Sequence, residues 1–401
     1  MVFFQACTLG WLTFGLSMAF SQNETPSVPG QLFNSLEESA RLVDITYCVS
    51  TTGIQEPFQC LSHCAEFPDL ELVTTWNTGI LLSDSCGYIA VSHAPTKRIV
   101  VAFRGTYSIT NTIIDLSAYP QSYVPYTGEE GEATERPTCA NCTVHAGFMT
   151  SWNNTRSTVL PRIEAARQQY PDYEVSLVGH SLGGAVAALA GLEMQLKGWN
   201  PTVTTFGEPM IGNGEFAKYL DDQFSLNAPD HADGSFRPPQ FRRVTHVDDP
   251  VPLLPLSEWG YTPHSGEIFI SKPELPPSIG DIQLCEGNQD PRCIAGSEAP
   301  SSLMEIYQDV SIPLSVFGDR LDPCSSSRQS KSGKTHQVVL SRLSSAREDV
   351  TCASDATTPL HPRSWNWSLI PARYRLWELF FAHRDYFWRI GLCWPGGDPT
   401  G

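Results

Sequence analysis

The chain has 401 residues, 41% of them hydrophobic, and a formal net charge of −17 from 26 basic and 43 acidic residues. This size suits one large α/β domain with insertions, or two smaller domains. The negative charge excludes nucleic acid and anionic lipid headgroups as electrostatic partners, so contact with a lipid surface would have to be apolar.

The first 21 residues differ in character from the rest of the chain. The run WLTFGLSMAF is apolar, and small residues such as Ala19 and Ser21 permit cleavage near its end. We predict a secretory signal peptide at 1–21 and a single domain at 22–401. An uncleaved membrane anchor is the alternative, which the short apolar run disfavours. The expected destination is extracellular, with the secretory pathway or vacuole as alternatives.

Predicted helices and strands alternate along the first two thirds of the chain. Apolar residues at helical spacing indicate a helix at 32–47, and strands are expected at 87–92 and 98–105. A loop-rich segment at 106–143 contains ITNTIIDL, which puts Ile109, Ile113 and Leu116 on one helical face. Later elements are predicted at these positions: helix 144–170 interrupted at Pro161, strand 174–179, helix 182–197, strand 202–207, helix 213–225, and strands 241–247 and 266–271. The alternation predicts a mostly parallel sheet with helices on its faces.

Residues from about 272 to 375 break this pattern. They are rich in Pro and Ser, which indicates a long insertion rather than a second domain with its own core. The aromatic block RYRLWELFFAHRDYFWRIGLCW then returns the chain to the core.

The cysteines agree with an oxidising compartment. Twelve are present, one of them (Cys7) in the predicted signal. Proximity in sequence suggests pairing Cys60/Cys64, Cys139/Cys142 and Cys285/Cys293. A Cys324/Cys352 pair could close a longer loop, and a Cys48/Cys393 pair could tie the two ends of the mature chain. Cys86 is left over and is interpreted as a buried free thiol. Sequons at Asn23, Asn141, Asn153 and Asn366 predict a glycoprotein.

The stretch EVSLVGHSLGGAVAALAGLEM carries the strongest chemical signal. A G-x-S-x-G between a strand and a helix is a nucleophile elbow, which presents Ser181 above the sheet edge at a helix N-terminus. The pentapeptide alone would be weak evidence. The strand before it and the helix after it favour a nucleophile over an idle serine.

A nucleophilic serine needs a base and an orienting carboxylate, expected in the order Ser, Asp/Glu, His. Asp248 and Asp249 follow a predicted strand, and only one of them should face the site because side chains alternate. Among the later histidines, His264 and His383 both fit on spacing. His145 and His180 precede the acid and are interpreted as structural.

Several ordered motifs resemble the fungal class 3 lipases, a family of secreted triacylglycerol lipases that includes feruloyl esterases. The matching segments are VVAFRGT, CANCTVHAGF, VSLVGHSLGGA, TTFGEPMIGN, RRVTHVDDPVPLLP and AHRDYFW. The resemblance covers most of 32–270 and 375–394. It implies an α/β-hydrolase fold with helices on both faces of the sheet and a lid helix, whereas the long insertion between His264 and His383 departs from the family.

The resemblance also implies roles for individual residues. It favours Asp249 as the acid and His383 as the base, and places the oxyanion hole at the N–H groups of Thr106 and Leu182. The family's disulfides correspond to Cys48–Cys393, Cys60–Cys64 and Cys139–Cys142. A lid would contain Ile109, Ile113, Ile114 and Leu116. No cofactor and no metal are needed.

The expected function is a secreted triacylglycerol lipase acting as a monomer on lipid esters at an oil–water interface, without nucleic acid and without stable membrane insertion. A soluble-ester esterase of the feruloyl type, or a phospholipase, is the close alternative, since the triad serves any acyl transfer. A non-catalytic lipid-binding protein is disfavoured because all three triad residues are present.

Overall fold

A computed structural model describes residues 28–79, 84–106, 120–125, 138–227, 238–297, 372–375, 378 and 380–393. Contacts group the chain into one unit of Met1–Ser297 with Ala372–Gly401, and another of Glu298–Pro371. The second unit, including Cys324 and Cys352, lies outside the described residues. All of the described residues belong to the first unit.

An eight-stranded sheet organises the described residues. Its strands are β1 (Leu70–Asn77), β2 (Cys86–Ser92), β3 (Arg98–Phe103), β6 (Glu174–His180), β7 (Thr202–Phe206), β9 (Phe241–His246), β11 (Glu267–Ile270) and β12 (Ile282–Leu284), in the order β1-β2-β3-β6-β7-β9-β11-β12. From β3 to β11 all neighbours run parallel, and the edge pairs are antiparallel. The carboxyl ends of the parallel strands therefore meet at one edge, where α/β folds place their sites.

The central strands are buried on both faces, as a parallel sheet requires. In β3, Ile99, Val101 and Phe103 join one hydrophobic cluster, whereas Val100 and Ala102 join another. The alternating side chains thus feed two cores, one on each side of the sheet.

Helices cover both of these cores. They are α1 (Gly30–Ile45), α2 (Ala146–Gln169), α3 (Leu182–Leu196) and α4 (Gly214–Phe224). Helix α1 packs its apolar stripe on one face, and α2, α3 and α4 pack on the other. Helix α3 is buried on nearly all sides, because its sequence LGGAVAALAGLEMQL contains only small and apolar residues apart from Glu193 and Gln195. This confirms the predicted α/β-hydrolase architecture.

Three features differ from the sequence-based expectation. Helix α2 continues through Pro161 without a break. Strand β1 and a second, four-stranded sheet were not predicted; the latter comprises β4 (Pro120–Ser122), β5 (Thr143–His145), β8 (Gly212–Asn213) and β10 (Tyr261–Thr262). The main sheet also reaches β12, beyond residue 272 where the composition predicts the insertion to begin.

The two ends of this unit are joined directly. A disulfide links Cys48, just after α1, to Cys393. Nearby, the buried Asp44 carboxylate accepts a hydrogen bond from the Gly391 N–H at 2.9 Å and another from the Ser62 hydroxyl at 2.5 Å. The C-terminal segment is thereby fixed to the N-terminal helix.

Three further disulfides join residues close in sequence, Cys60–Cys64, Cys139–Cys142 and Cys285–Cys293, and Cys86 is a free, buried thiol. Within the described residues, no helix combines the length and the apolar character needed to cross a membrane.

We expect the Cys48→Ser/Cys393→Ser double variant to lose roughly 2–5 kcal/mol of unfolding free energy in urea denaturation, because the bond closes a loop of 345 residues. The Cys60→Ser/Cys64→Ser control removes a bond between residues only 4 apart in sequence and should lose less unfolding free energy. Equal losses would show that loop closure is not what the terminal bond contributes.

Candidate active site

Ser181 lies in a strained turn between β6 and α3. Its backbone has φ 57° and ψ −130°, an unusual conformation for a residue with a side chain. The Ser181 N–H donates to the Phe206 carbonyl at 2.9 Å, and its carbonyl accepts from the Gly184 N–H at 2.8 Å. The Ser181 side chain does not cap the helix. Main-chain hydrogen bonds therefore hold the turn, and the Ser181 hydroxyl is not used to cap α3.

The glycines on either side of Ser181 allow this close approach of strand and helix. A Cβ on Gly179 would lie 2.3 Å from the Gly183 carbonyl oxygen, and a Cβ on Gly183 would lie 2.5 Å from the Phe103 carbonyl oxygen. Both contacts are with backbone atoms, which have no room to yield. Any larger residue would push α3 away from the sheet and move Ser181.

Asp249 and His383 form a fully buried pair, although they are 134 residues apart. Nδ1 of His383 lies 3.0 Å from Oδ1 and 2.9 Å from Oδ2 of Asp249. Because a carboxylate only accepts, Nδ1 carries the proton and Nε2 is the nitrogen able to take another. Nε2 has no hydrogen-bond partner among the described residues.

Asp249 is held in its ionised form. Burial alone would raise its pKa, but the charge of His383 and hydrogen bonds from His383, Tyr386 and the Val251 N–H hold the pKa of this carboxyl below its ordinary value. Burial and the neighbouring Asp249 charge raise the pKa of Tyr386 well above its ordinary value, so its hydroxyl stays protonated and donates. The pair therefore presents a carboxylate to a histidine with a defined proton.

Gly207 packs directly against this pair. A Cβ there would lie 2.8 Å from Cε1 of His383, 2.8 Å from the Tyr386 hydroxyl and 2.9 Å from Oδ2 of Asp249, and its φ is +57°. Neither Gly207 nor Tyr386 was assigned a role from the sequence. Tyr386 falls within the AHRDYFW motif that carries the resemblance, so that motif was the available signal.

The segment that carries His383, residues 380–393, is called the histidine loop, and it contacts the residue before Ser181. Nε2 of His180 lies 2.7 Å from the main-chain carbonyl oxygen of His383, and the centroids of the two rings are 4.7 Å apart. The structure thus brings His383 and Asp249 to the carboxyl ends of β6, β7 and β9, beside the serine turn.

The competing candidates lie elsewhere. Asp248 forms an ion pair with Arg375 and stays partly exposed. His264 is buried against Glu208, with Nε2 2.9 Å from Oε1, and its Nδ1 lies 2.7 Å from the Ser265 carbonyl. Within the part of the chain that the structure describes, no hydrogen bond joins the side chain of Asp248 or His264 to that of Asp249 or His383.

Thr106 and Leu182 border the turn from two directions. Leu182 begins α3, where the first N–H groups have no acceptor within the helix. Thr106 follows Gly105, whose Cβ position would be 3.0 Å from Cβ of Ser181. The predicted lid residues Ile109, Ile113, Ile114 and Leu116 lie outside the described residues. Among the described residues, no cluster of His, Cys, Asp and Glu could hold a metal ion.

The chain is similar in sequence to known lipases. The sequence profile of the family Lipase (class 3) matches residues 100–259. Lipase A of Sodiomyces alcalophilus is 49% identical over 94% of this chain and 86% of its own length. Secreted mono- and diacylglycerol lipase 2 of Gibberella zeae is 48% identical over 93% of this chain and 84% of its own length.

A solved lipase structure is also similar to this chain in fold and sequence. The Lip2 lipase of Yarrowia lipolytica superimposes with a TM-score of 0.61 and 34% identity, covering 72% of this chain and 93% of that protein.

Substituting each of the two adjacent carboxylates tests the site geometry. We expect Asp249→Asn to lower kcat for a soluble ester by roughly 10³–10⁴, because the amide would favour the wrong tautomer of His383. Asp248→Asn is the matched control and should change kcat less than about threefold, since Asp248 faces Arg375. The reverse order in steady-state assays would contradict the site as described.

Proposed function

The chain belongs to the class 3 lipase family and is a carboxylic ester hydrolase, and on this premise we propose that it cleaves acylglycerol esters through Ser181, His383 and Asp249. The observation that carries the proposal is the buried Asp249–His383 pair, whose Nε2 is unpaired within the described residues and which adjoins a serine in an elbow conformation. Nucleophile, base and orienting carboxylate are the three parts that acyl transfer requires.

In the proposed acylation step, Nε2 of His383 takes the proton of the Ser181 hydroxyl as Oγ attacks the ester carbonyl carbon. Asp249 stabilises the imidazolium through Nδ1, and Tyr386 and the Val251 N–H keep the carboxylate oriented. Nε2 then donates its proton to the oxygen of the leaving alcohol. Water, activated by the same nitrogen, later hydrolyses the acyl-enzyme.

The negative charge of the tetrahedral intermediate needs donors in place before the reaction. The N–H groups of Leu182 and Thr106 are the proposed donors, because one lies at the N-terminus of α3 and the other follows Gly105, which packs on Ser181. Their preorganisation comes from the close contact of the β3 end with the serine turn.

The names of similar proteins support acylglycerols as the substrates of this chain. A protein 48% identical over 93% of this chain is named a secreted mono- and diacylglycerol lipase. The name also supports secretion, as do the four disulfides among the described residues. We propose that the signal peptide at 1–21 is removed and that the apolar segment with Ile109, Ile113, Ile114 and Leu116 acts as a lid; both segments lie outside the described residues.

Removing the proposed nucleophile gives the direct genetic test. We expect Ser181→Ala to lower kcat for p-nitrophenyl butyrate by roughly 10⁵–10⁶, with unchanged circular dichroism and melting temperature. Substantial turnover by the folded variant would overturn the assignment of Ser181.

A substrate panel tests the proposed class of ester. The wild-type protein and the Ser181→Ala blank would be assayed by pH-stat on tributyrin, diolein, triolein, phosphatidylcholine and methyl ferulate. We expect acylglycerols to be hydrolysed best, with a rise in rate above the solubility limit of tributyrin. A higher kcat/KM for methyl ferulate would leave an ester hydrolase but contradict the acylglycerol assignment.

A further inference from the structure

His180, the residue before Ser181, makes two short hydrogen bonds in the interior. Its Nε2 lies 2.7 Å from the carbonyl oxygen of His383, and its Nδ1 lies 2.7 Å from the hydroxyl of Tyr47. The His180 side chain is almost fully buried. Both ring nitrogens of His180 are therefore hydrogen-bonded, one of them to the main chain of the proposed base.

These partners define the protonation of His180. A carbonyl oxygen only accepts, so Nε2 of His180 must carry the proton and donate a hydrogen bond to the carbonyl oxygen of His383. Burial and the nearby His383 lower the pKa of His180 to about 3. The ring is therefore neutral at working pH, and its bare Nδ1 accepts from the Tyr47 hydroxyl.

Tyr47 extends this contact to the third segment of the site. A Cβ on Gly105 would lie 2.6 Å from the Tyr47 hydroxyl and 2.9 Å from the His180 carbonyl oxygen. The Tyr47–His180 pair thus touches the segment leading to Thr106 as well as the serine turn and the histidine loop. Tyr47 also precedes Cys48, whose disulfide to Cys393 holds the chain that carries His383.

We propose that His180 and Tyr47 are positioning residues that hold the main chain of His383 in register with Ser181, and that His180 does so as a neutral ring. This role rests on the proposed function. It gives the residue before the nucleophile two effects: its hydrogen bond holds the main chain of His383, and its neutral ring places no charge beside the His383 ring. With ring centroids 4.7 Å apart, a charged His180 would oppose the imidazolium that must form on His383. A neutral ring that donates to the His383 carbonyl holds the loop without this repulsion.

Tyr47→Phe and Tyr88→Phe form a matched pair for the test. Each removes one hydroxyl from a buried tyrosine, but the Tyr88 hydroxyl donates to the Leu42 carbonyl at 2.9 Å, in a pairing that does not involve the site. We expect similar falls in melting temperature for both, whereas only Tyr47→Phe should lower kcat on p-nitrophenyl butyrate, by roughly 10- to 100-fold with KM within about twofold. Equal kcat values for the two variants would overturn the proposal.

Two substitutions of His180 separate hydrogen bonding from charge. Glutamine keeps one N–H donor and one oxygen acceptor but does not titrate, whereas leucine has neither. We expect His180→Gln to keep kcat within about tenfold of wild type and to leave the acid limb of the kcat–pH profile in place, while His180→Leu loses roughly 100-fold. A higher acid-limb pKa in His180→Gln would contradict the neutral ring. If His180→Leu does not fold, the tyrosine pair decides.

These results are distinguishable from failure of the proposed function. If Ser181→Ala is inactive while Tyr47→Phe and His180→Leu retain full kcat, the nucleophile assignment stands and the positioning role falls. If Ser181→Ala remains active, the proposed function itself falls.

Discussion

The strained turn at Ser181 is the constraint on which the site depends. Its positive φ is tolerated because the glycines around it let β6, α3 and the end of β3 come together at distances that leave no room for a Cβ. Parallel pairing of β3, β6 and β7 sets the height of this turn, and the Ser181 N–H bonds to Phe206 on the neighbouring strand. The sheet thus fixes where the turn lies, and the turn holds Ser181 at the edge formed by the carboxyl ends of the strands.

The other half of the site comes from sequence positions far from the turn, and must be held by tertiary contacts. Asp249 follows β9, and its carboxylate is fixed by a main-chain N–H, a tyrosine hydroxyl and His383. The chain carrying His383 is tied to the N-terminal helix by a disulfide and by Asp44. The His180 hydrogen bond then joins this assembly to the serine turn. Strand, acid loop and histidine loop are consequently linked by bonds between buried groups, which are costly to break.

The sequence predicted those strands and helices whose apolar residues form a clear run or recur at helical spacing. The central strands were predicted as short apolar runs and α1 from apolar residues at helical spacing, and the alternation of strands with helices along the chain indicated the parallel sheet. Strand β1 was missed because it lies at the sheet edge with half-exposed residues, and strands of two or three residues in the second sheet are too short to show a period. Pro161 indicated an interruption, but packing of α2 against α3 outweighs the single missing hydrogen bond.

Within the site, spacing alone left Asp248 or Asp249 and His264 or His383 open, because it contains no information on long-range contacts. Only the resemblance separated them. In the structure Asp249 contacts His383, whereas Asp248 pairs with Arg375 and His264 with Glu208. His180 was interpreted as structural because it precedes the acid in sequence. Its position in the sequence bears only on its eligibility as a base, and its hydrogen bond to the His383 main chain could be seen only in the folded chain.

The central claim is that Ser181 is the nucleophile that this architecture activates, and covalent labelling tests it most directly. The protein would be treated with a fluorophosphonate, digested and mapped by mass spectrometry while residual ester hydrolysis is followed. We expect one phosphonate adduct per chain, on Ser181, appearing in proportion to the loss of activity, and no adduct when His383 is replaced by alanine. Inactivation accompanied by an adduct on another residue, or full hydrolysis by chains labelled at Ser181, would contradict the claim.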